Sequence, residues 1–335
     1  MRRMAARKLF LAMQVSVAVS SYLRASLLPR LVEALESQTL PVDRFEVVIV
    51  DNGSTDATAE VLSDLASRSP LSLRIVSTTP NRGPAGGRNL AWRASGAAIV
   101  AFTDDDCVPT QTWLESGLKA MGDAHRIVVG RTAPNPGQEA MRGPFSLTVS
   151  VEDTRFLHTC NIFYRREDLE AVGGFDEGFT TPGGEDTDLG LRVRQLGAEA
   201  VFCSEALVYH DVGASSLEGA LRQALRWTDI PRFFAKHPAA REDLLVRRVF
   251  WKPSHPRVIA SAVGLVAACA ITPFWFAGLS ALVLTLPWLW FRVWKRPLSG
   301  GRRRRILVLP GAFAVDLLEV FVMMRGSIRH RALVL

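Results

Sequence analysis

Short apolar runs alternate with helix-patterned segments through the first hundred residues of this 335-residue chain. The runs are rich in β-branched residues and almost continuously apolar, which is typical of strands in a parallel sheet covered by helices on both faces. They read QVSVAVSS, FEVVIVD, LRIVST and AAIVAFT. Helical patterns separate them at about Leu27 to Gln38, Thr58 to Arg68 and about Gly86 to Ala94. The alternation predicts an α/β fold, wound like a nucleotide-binding domain.

Beyond residue 125 the pattern loosens, and the Pro- and Gly-rich stretch TAPNPGQEAMRGP predicts a long binding loop. We then expect a helix from Glu185 to Leu196, a strand AVFCSEALVYH, and one amphipathic helix from about Ser216 to Lys236. The catalytic domain is therefore predicted to span residues 1–240, followed by a helical region at 241–335.

Composition excludes some classes of protein. The four cysteines have no CxxC spacing and are interpreted as packing residues in a reducing compartment. The net charge of +7 would suit a nucleic-acid binder, but arginines and lysines gather beside the C-terminal apolar segments, which favours a membrane surface and no nucleic acid. The basic and apolar N-terminus imitates a secretory signal, yet Gln14 interrupts it, so we expect it to lead into the first strand.

A change of composition at Val258 opens 34 residues without a charge, ending at Phe291. As a helix this length measures about 51 Å, slightly less than two crossings of a hydrocarbon core about 30 Å thick. Basic clusters flank both ends, so a tight hairpin or a re-entrant pair with both ends in the cytosol is predicted, with a buried pair of soluble helices as the alternative. A further apolar helix at about 306–324 is expected either to span the membrane or to lie in its interface.

Three consecutive carboxylates follow the fourth apolar run, in AFTDDDCVP. On an extended backbone Asp104 and Asp106 would face one way and Asp105 the other. Carboxylates held so close raise one another's pKa unless a cation lies between them. The stretch therefore indicates either a site for a hard divalent metal, Mg²⁺ or Mn²⁺, or an acidic loop capping the next helix.

Other motifs lie where an α/β sheet binds its ligands. VIVDNGSTD ends the second strand with Asp51, and ligands bind beyond the carboxyl ends of such strands. NRGPAGGRN enters a helix with glycines and arginines, which suits an anion or only a turn. GGED places Glu185 and Asp186 at a predicted helix start, where carboxylates meet the helix dipole favourably whatever else they do.

In combination these motifs resemble the family 2 glycosyltransferases, which have a GT-A fold, over about residues 15–212. VSVAVSSYLR is similar to the first strand of that family, VVIVDNGSTD to its second, FTDDDC to its DxD motif, and GGFDEGFTTPGGEDTDLGLRVRQLG to its acceptor-side motif and ED helix. Four matches in the right order are far more specific than any one of them.

The resemblance implies a role for each matching residue. Ser21, Tyr22 and Asp51 would line the nucleoside pocket, and Arg88 would contact the base or the phosphates. Asp104 and Asp105 would lie near the ribose and diphosphate. The strongest metal ligand would be Asp106.

On the acceptor side, Asp186 would be the general base that deprotonates a hydroxyl, with Glu185 as the second candidate. His210, in LVYHDV, is either a structural residue or a further metal ligand, and Asn161 would face the acceptor. The helix residues Asp188 and Arg192 are interpreted as a structural pair.

The resemblance thus implies a metal-dependent, inverting, non-processive transfer from a nucleotide-diphospho-sugar donor to a hydroxyl acceptor. Anchoring suggests a lipid-linked or cell-envelope glycan precursor as acceptor, with the enzyme at the cell membrane and its catalytic domain on the cytoplasmic side. The string QALRW, at 223–227, matches a motif of processive synthases and keeps a processive enzyme open. A metal-dependent nucleotidyltransferase and a non-catalytic scaffold that binds sugar nucleotides at the membrane are the two rival interpretations of the same motifs.

Overall fold

The protein divides into two compact units. A computed structural model of the chain describes residues 13–213, 216–271, 283, 285–295 and 306–335. Within these, one unit comprises 13–138 and 148–211, and the other comprises 139–147 and 212–335. The catalytic domain was expected to end near residue 240, whereas here the second unit begins at Val212 and also takes in residues 139–147 of the predicted loop.

The first half of the first unit alternates strand and helix, as predicted. Its elements are β1 (Val15–Ser21), α1 (Leu28–Glu36), β2 (Phe45–Asp51), α2 (Thr58–Arg68), β3 (Ser72–Ser77), α3 (Gly83–Ala94) and β4 (Ile99–Thr103). The four strands are parallel, in the order β3-β2-β1-β4. Helix α3 begins at Gly83, earlier than the predicted Gly86, and Pro84 lies in its first turn, where a missing N–H breaks no helical hydrogen bond.

The second half of this unit adds four more strands to the same sheet. Its elements are β5 (Cys107–Pro109), α4 (Trp113–Ala120), β6 (His125–Pro134), β7 (Asn161–Arg165), α5 (Arg166–Ala171), α6 (Glu185–Arg194) and β8 (Glu199–His210). A short 3-10 helix, Pro136–Met141, follows β6 and contains the boundary between the units, after Gln138. Strand β7 is antiparallel to both β4 and β6, and β8 is parallel to β6. The sheet order is β3-β2-β1-β4-β7-β6-β8-β5 among the described strands.

The core of the first unit is apolar on both faces of this sheet. All seven residues of β2 are buried, so the near-continuous hydrophobicity of the strand reflects cover on both sides. Helix α1 buries Leu28, Leu31, Val32 and Leu35, the spacing of one helical face. The predicted α/β fold is therefore confirmed, although the sheet is mixed and not parallel throughout.

Polar residues from several strands meet at one edge of the sheet. In the strand registers, Ser21 pairs with Asp51, and Thr103 pairs with Asn161. Strand β8 ends at His210, which is opposite Cys107 of β5. Because β1, β2, β4 and β8 run the same way, their carboxyl ends lie together, which is where α/β folds bind ligands.

The second unit is helical in its described residues. Its elements are α7 (Leu217–Ala224), a 3-10 helix Leu225–Asp229, α8 (Ile230–Lys236), a 3-10 helix Pro238–Ala240, α9 (Arg241–Leu244), α10 (His255–Ile271), a π-helix Phe291–Lys295 and α11 (Leu309–His330). The prediction of one continuous helix from Ser216 to Lys236 is wrong. A 3-10 turn interrupts it, and Pro231, at the start of α8, cannot donate the backbone hydrogen bond that continuity would need.

Helix α11 contains the two acidic residues of the last apolar run. Asp316 and Glu319 are buried, and each is paired with a basic residue of the same unit. The guanidinium of Arg292 donates to Asp316, and the Lys252 ammonium lies 2.6 Å from Glu319. Paired and hydrogen-bonded charges can be buried at tolerable cost, which explains how this face of the helix packs inside the unit.

Among the described residues, no helix is both long and apolar enough to cross a membrane. Of the hairpin predicted at about 258–291, residues 272–282 and 284 lie outside the described part of the chain. The described residues thus give that hairpin no support.

Candidate active site

The three consecutive aspartates form a tight turn between β4 and β5. The amide of Cys107 donates to the carbonyl of Asp104 at 3.2 Å, which closes the turn, and β5 then runs back against the direction of β4. The expectation of an extended backbone, with alternate carboxylates on opposite sides, is therefore wrong. A reversal at this point lets each carboxylate meet a different neighbouring element.

Asp106 faces His210 across the β5–β8 ladder. The imidazole Nε2 lies 3.4 Å from the Asp106 carboxylate, and Nδ1 lies 2.9 Å from the carbonyl of Asp211. A carbonyl only accepts, so this contact places a proton on Nδ1, and Nε2 is the ring nitrogen that faces Asp106, as a charged partner when it is protonated and as a lone-pair donor to a metal when it is not. An oxygen and a nitrogen donor aimed at one point are suited to a divalent metal.

The surroundings of Asp106 disfavour its negative charge, so a cation bound there would stabilise the ionised carboxylate. Burial raises its pKa, the neighbouring His210 opposes that rise, and the nearby carboxylate of Asp104 adds to it. Cys107 Sγ also lies within 4.8 Å of the Asp106 and His210 donor atoms, but burial raises the pKa of this thiol well above its usual range. Cys107 therefore stays a protonated packing residue, as the sequence predicted, and the pair of Asp106 and His210 fits a hard or borderline cation.

Asp105 points toward the loop after β1. Its carboxylate is largely buried and lies 3.8 Å from the guanidinium of Arg24. Burial and the charge of Asp106 raise the pKa of Asp105 to about 7, while Arg24 acts in the opposite direction. A carboxyl with this pKa can take up a proton near neutral pH.

Arg88 joins the aspartate turn to the start of helix α6. One guanidinium nitrogen donates to Asp104 and another to Glu185, each at 2.9 Å. The Arg88 side chain is 12% exposed and that of Glu185 3%. The residue predicted to contact the base or the phosphates therefore already bridges two carboxylates.

Glu185 and Asp186, at the first turn of α6, have different surroundings. Both carboxylate oxygens of Glu185 are engaged, one by Arg88 and the other by the amide of Gly183 at 2.6 Å. Asp186 is more accessible, with 17% of its side chain exposed, and its Oδ2 accepts from the amide of Thr159 at 3.3 Å. Asp186 is therefore the better placed of the two to meet an acceptor.

The candidates for the nucleoside pocket lie at the ends of β1 and β2. Ser21 and Asp51 are buried neighbours in the strand register, whereas Tyr22 is 45% exposed. Asp51 accepts the amide of Ser54, which fixes the turn after β2. Asn52, which the sequence analysis did not single out, accepts the amide of Arg82 at 3.0 Å and so ties this turn to the start of α3.

Asn161 was predicted to face the acceptor, but its contacts indicate a structural role. The side chain is 1% exposed. Its amide group donates to the carbonyls of Arg131 and Ala206 at 2.8 Å, and its oxygen accepts the indole N–H of Trp113 at 2.8 Å. Both amide N–H groups of Asn161 and one lone pair of its oxygen are therefore used to hold β6, β7, β8 and α4 together.

Two basic residues at the site were missed from sequence. Arg24 reaches Asp105, and His158 lies beside Asp186 with 3.8 Å between Nδ1 and Oδ2. Both stand in loops, far from their partners along the chain, so no periodicity or motif singles them out. The predicted site carries more negative charges than Arg88 alone can balance. This excess is the signal from which further basic partners could have been expected.

An acidic turn and an acidic helix start thus lie at the carboxyl ends of the parallel strands, which is where α/β sheets bind ligands. The sequence matches the family described as Glycosyl transferase family 2 over residues 16–173, and the Glycosyl transferase family group 2 over residues 99–299. The second match covers more than half of the chain. The chain belongs to this family of glycosyltransferases, as the resemblance predicted.

Individual relatives agree with this assignment. The chain is 30% identical over 204 residues to glycosyltransferase AglE of Haloferax volcanii, covering 58% of this chain and 66% of that one. It is 27% identical over 290 residues to validoxylamine A glucosyltransferase of Streptomyces hygroscopicus subsp. jinggangensis, covering 74% and 65%. The chain thus spans slightly less than two thirds of the length of these curated relatives.

Among solved structures, the mannosyltransferase PcManGT of Pyrobaculum calidifontis, in complex with GDP-Man and Mn²⁺, is similar with a TM-score of 0.62. The identity is 21%, and the match covers 95% of this chain and 87% of that one. At this identity the likeness concerns the fold alone, and it supports the predicted GT-A fold.

The Arg88 bridge gives a prediction for stability. Replacement by Met in Arg88→Met leaves two partly buried carboxylates without their cation, and we expect a loss of about 3–5 kcal/mol in the free energy of unfolding at pH 8. The loss should shrink as the pH falls, because burial and Asp186 raise the pKa of Glu185, which then takes up a proton and no longer needs the cation. Urea unfolding at pH 8 and pH 5.5 measures both effects.

Arg68→Met is the matched control, since the exposed pair of Arg68 with Asp64 is worth at most about 0.5 kcal/mol. If instead Arg88→Met changed stability no more than this control, the bridge would not hold the site together.

Asn161 gives a second prediction. Asn161→Asp keeps the shape but replaces the amide N–H donors with an oxygen that faces two carbonyls, so we expect a loss of about 3 kcal/mol or more at pH 8. Burial raises the pKa of the new carboxyl above its value in the unfolded chain, so the loss should be smallest in acid and grow as the pH rises. Chemical unfolding across this pH range provides the measurement.

The control for this change is Asn81→Asp, because exposed Asn81 uses its oxygen to accept the amide of Gly83, which a carboxylate also does. A variant Asn161→Asp that kept full stability but lost transfer would restore the acceptor-side role.

Proposed function

We propose that the protein is an inverting glycosyltransferase, moving a sugar from a nucleotide-diphospho-sugar donor to a hydroxyl group of an acceptor. The observation that carries the proposal is the convergence of Asp106, His210 and Asp186 at one sheet edge, linked through the Arg88 bridge between Asp104 and Glu185. A site for a charged diphosphate and a site for a base then lie side by side. Membership of the glycosyltransferase family supports the same activity and argues against a nucleotidyltransferase.

A divalent cation fits the donor side. Asp106 and His210 would hold it, with Asp104 as a further carboxylate nearby, and the carboxylate oxygens are the ligands that suit Mn²⁺ or Mg²⁺. When bound, the ion would supply positive charge to the departing nucleoside diphosphate. The similar mannosyltransferase PcManGT is described with Mn²⁺, which supports this choice of metal class.

Asp186 acts as the general base on the acceptor side. Its carboxylate takes the proton of the acceptor hydroxyl, and the oxygen forms a bond to the anomeric carbon from the face opposite the leaving group. The bond from that carbon to the diphosphate oxygen breaks, and its electron pair leaves with the nucleoside diphosphate. One displacement of this kind inverts the anomeric centre, and a base must be ionised and within about 3 Å of the hydroxyl oxygen to assist it.

The donor half of the site rests on the β1 and β2 ends. Ser21, Tyr22 and Asp51 would line the nucleoside, and Asp105 would lie near the ribose and diphosphate. The acceptor would be presented at a lipid surface, as either a lipid-linked sugar or another envelope glycan precursor. Transfer would be non-processive. The QALRW string is the one feature that favours a processive enzyme, and its Trp227 donates to Glu319 in the second unit, which is a structural contact.

The first prediction of this proposal concerns the base. Asp186→Asn removes the proton acceptor but keeps the shape, so we expect nucleoside diphosphate release to fall by about 10²–10⁴-fold while donor binding persists. The measurement uses a panel of UDP-, GDP- and dTDP-sugars with and without Mn²⁺, supplied with membranes as a source of acceptor.

The matched control is Asp64→Asn, which alters an exposed carboxylate on α2 and should leave the rate unchanged. Equal rates for wild type and Asp186→Asn would overturn the assignment of the base and point to Glu185. Metal-dependent donor binding without turnover by any preparation would favour the non-catalytic scaffold, and release of pyrophosphate would favour a nucleotidyltransferase.

We also propose that the second unit holds the protein at the cytoplasmic face of the cell membrane. The support is an exposed apolar stripe on α11, formed by Leu317, Phe321, Met324 and Ile328, which recur every three or four residues. Exposed arginines at 325 and 329 adjoin it. Apolar side chains beside arginines are the chemistry that an anionic lipid surface binds.

Vesicle binding tests this surface. The double change Phe321→Ser with Ile328→Ser removes the two most exposed large side chains of the stripe, at 57% and 76% exposure, so we expect affinity for vesicles of equal parts phosphatidylglycerol and phosphatidylcholine to fall at least about tenfold. Co-sedimentation of the full chain with the vesicles gives the affinity.

Leu196→Ser, which changes an exposed leucine of the first unit, is the control and should bind as the wild type does. Unchanged binding of the double variant would exclude this stripe as the lipid contact.

A further inference from the structure

His158 lies beside the carboxylate proposed as the base. Its Nδ1 is 3.8 Å from Oδ2 of Asp186, and 41% of its side chain is exposed. The ring of Phe156 lies 5.6 Å away, centroid to centroid, and covers part of the imidazole. Neither the family motifs nor the sequence pattern assigns this histidine a role.

The loop that carries His158 is held firmly against α6. The Thr187 hydroxyl donates to the carbonyl of Phe156 at 2.6 Å, and the Thr159 amide donates to Asp186 at 3.3 Å. Between these two contacts, Leu157 is fully buried and adopts a left-handed backbone with φ 52°. A non-glycine residue held in this conformation costs energy, so surrounding contacts must determine it.

Gly190 makes this packing feasible. A Cβ at that position would come within 2.2 Å of the Leu157 side chain, so only glycine lets the loop approach α6 this closely. The position of His158 relative to Asp186 therefore follows from contacts on both sides of it rather than from a freely moving loop.

The charges around His158 are negative. Asp186 and Glu185 face it from α6, and Asp104 faces it from the turn after β4. Burial disfavours the imidazolium, yet these carboxylates, Asp186 foremost, raise the pKa of His158 above its usual value. Glu185 already has Arg88 as its cation, and His158 is the basic side chain in contact with Asp186.

We propose that His158 is a positioning residue for the general base, acting through its contact with Oδ2 of Asp186. This inference rests on the proposed function, because it assigns His158 to the base of that reaction. The imidazolium keeps the carboxylate ionised beside its acidic neighbour, and together with the Thr159 amide it fixes Oδ2. The other oxygen, Oδ1, would then be the one that takes the acceptor proton.

The pairing can be tested without any substrate. In the full chain carrying ¹³C- and ¹⁵N-labelled histidine, nuclear magnetic resonance follows the titration of all six histidines, and His158→Gln identifies the relevant signal. We expect His158 to titrate above the ordinary value of about 6.5, and Asp186→Asn to lower its pKa by about one unit or more. Glu199→Gln, which alters the carboxylate beside exposed His125, should leave the His158 titration unchanged.

Kinetics then separate positioning from a merely structural role. In His158→Gln the pKa of Asp186 should rise, so the acid limb of the kcat profile should move up by about one pH unit while the KM for the donor stays the same. His158→Lys restores a positive charge and should move the limb back. A structural role would lower activity without shifting the limb, and lysine would not rescue it.

A His158 titration that is the same in wild type and Asp186→Asn would overturn the proposal. If the titration shifts as expected but no donor is turned over, the proposed function fails while the pairing stands. If a donor is turned over but the His158 titration does not shift, the proposed function stands and the pairing of His158 with Asp186 fails. The two readouts therefore distinguish failure of the inference from failure of the function beneath it.

Discussion

Crowding of negative charge at one edge of the sheet is the constraint on which the site depends. Carboxylates packed this closely in a buried setting would raise one another's pKa and take up protons unless cations were placed among them. The structure supplies a separate basic partner to nearly every one of them. The pairs are Asp104 with Arg88, Asp105 with Arg24, Asp106 with His210, Glu185 with Arg88, Asp186 with His158, and Asp211 with Arg30.

Arg88 is the residue shared between two of these pairs. Burial of a guanidinium is costly, and two carboxylates offset that cost more fully than one, so the charge on Arg88 is strongly maintained. The consequence is mechanical as well as electrostatic. The turn that would hold the donor diphosphate and the helix that carries the proposed base are joined by a single side chain, so the spacing between the two half-sites is set before any ligand binds.

The sequence predicted the fold more completely than the site, and the reason lies in distance along the chain. The apolar runs predicted the parallel strands, and helix α2 has the predicted bounds of Thr58 and Arg68. These features depend on local periodicity. The contact of Arg88 with Glu185 joins residues 97 positions apart, and its geometry depends on how α3 and α6 approach the sheet edge, which no local pattern encodes. Side-chain direction was the second limit: an extended backbone at Asp104 to Asp106 was a fair expectation from the preceding strand, but the Cys107 amide closes a turn there.

The two neighbouring acids at the start of α6 show how one motif can divide its labour. Burial and the charge of Asp186 raise the pKa of Glu185 despite the presence of Arg88, so near neutral pH its proton is held readily. Burial acts on Asp186 in the same direction, but its contact with His158 and the field of Arg88 outweigh it and hold the pKa below the usual range. Environments that push the pKa values of two titratable groups apart in this way distinguish the residue that must stay ionised from the one that need not. This separation supports the proposed assignment of Asp186 as the base, while Glu185 keeps Arg88 in place through a hydrogen bond that its carbonyl oxygen can accept in either protonation state.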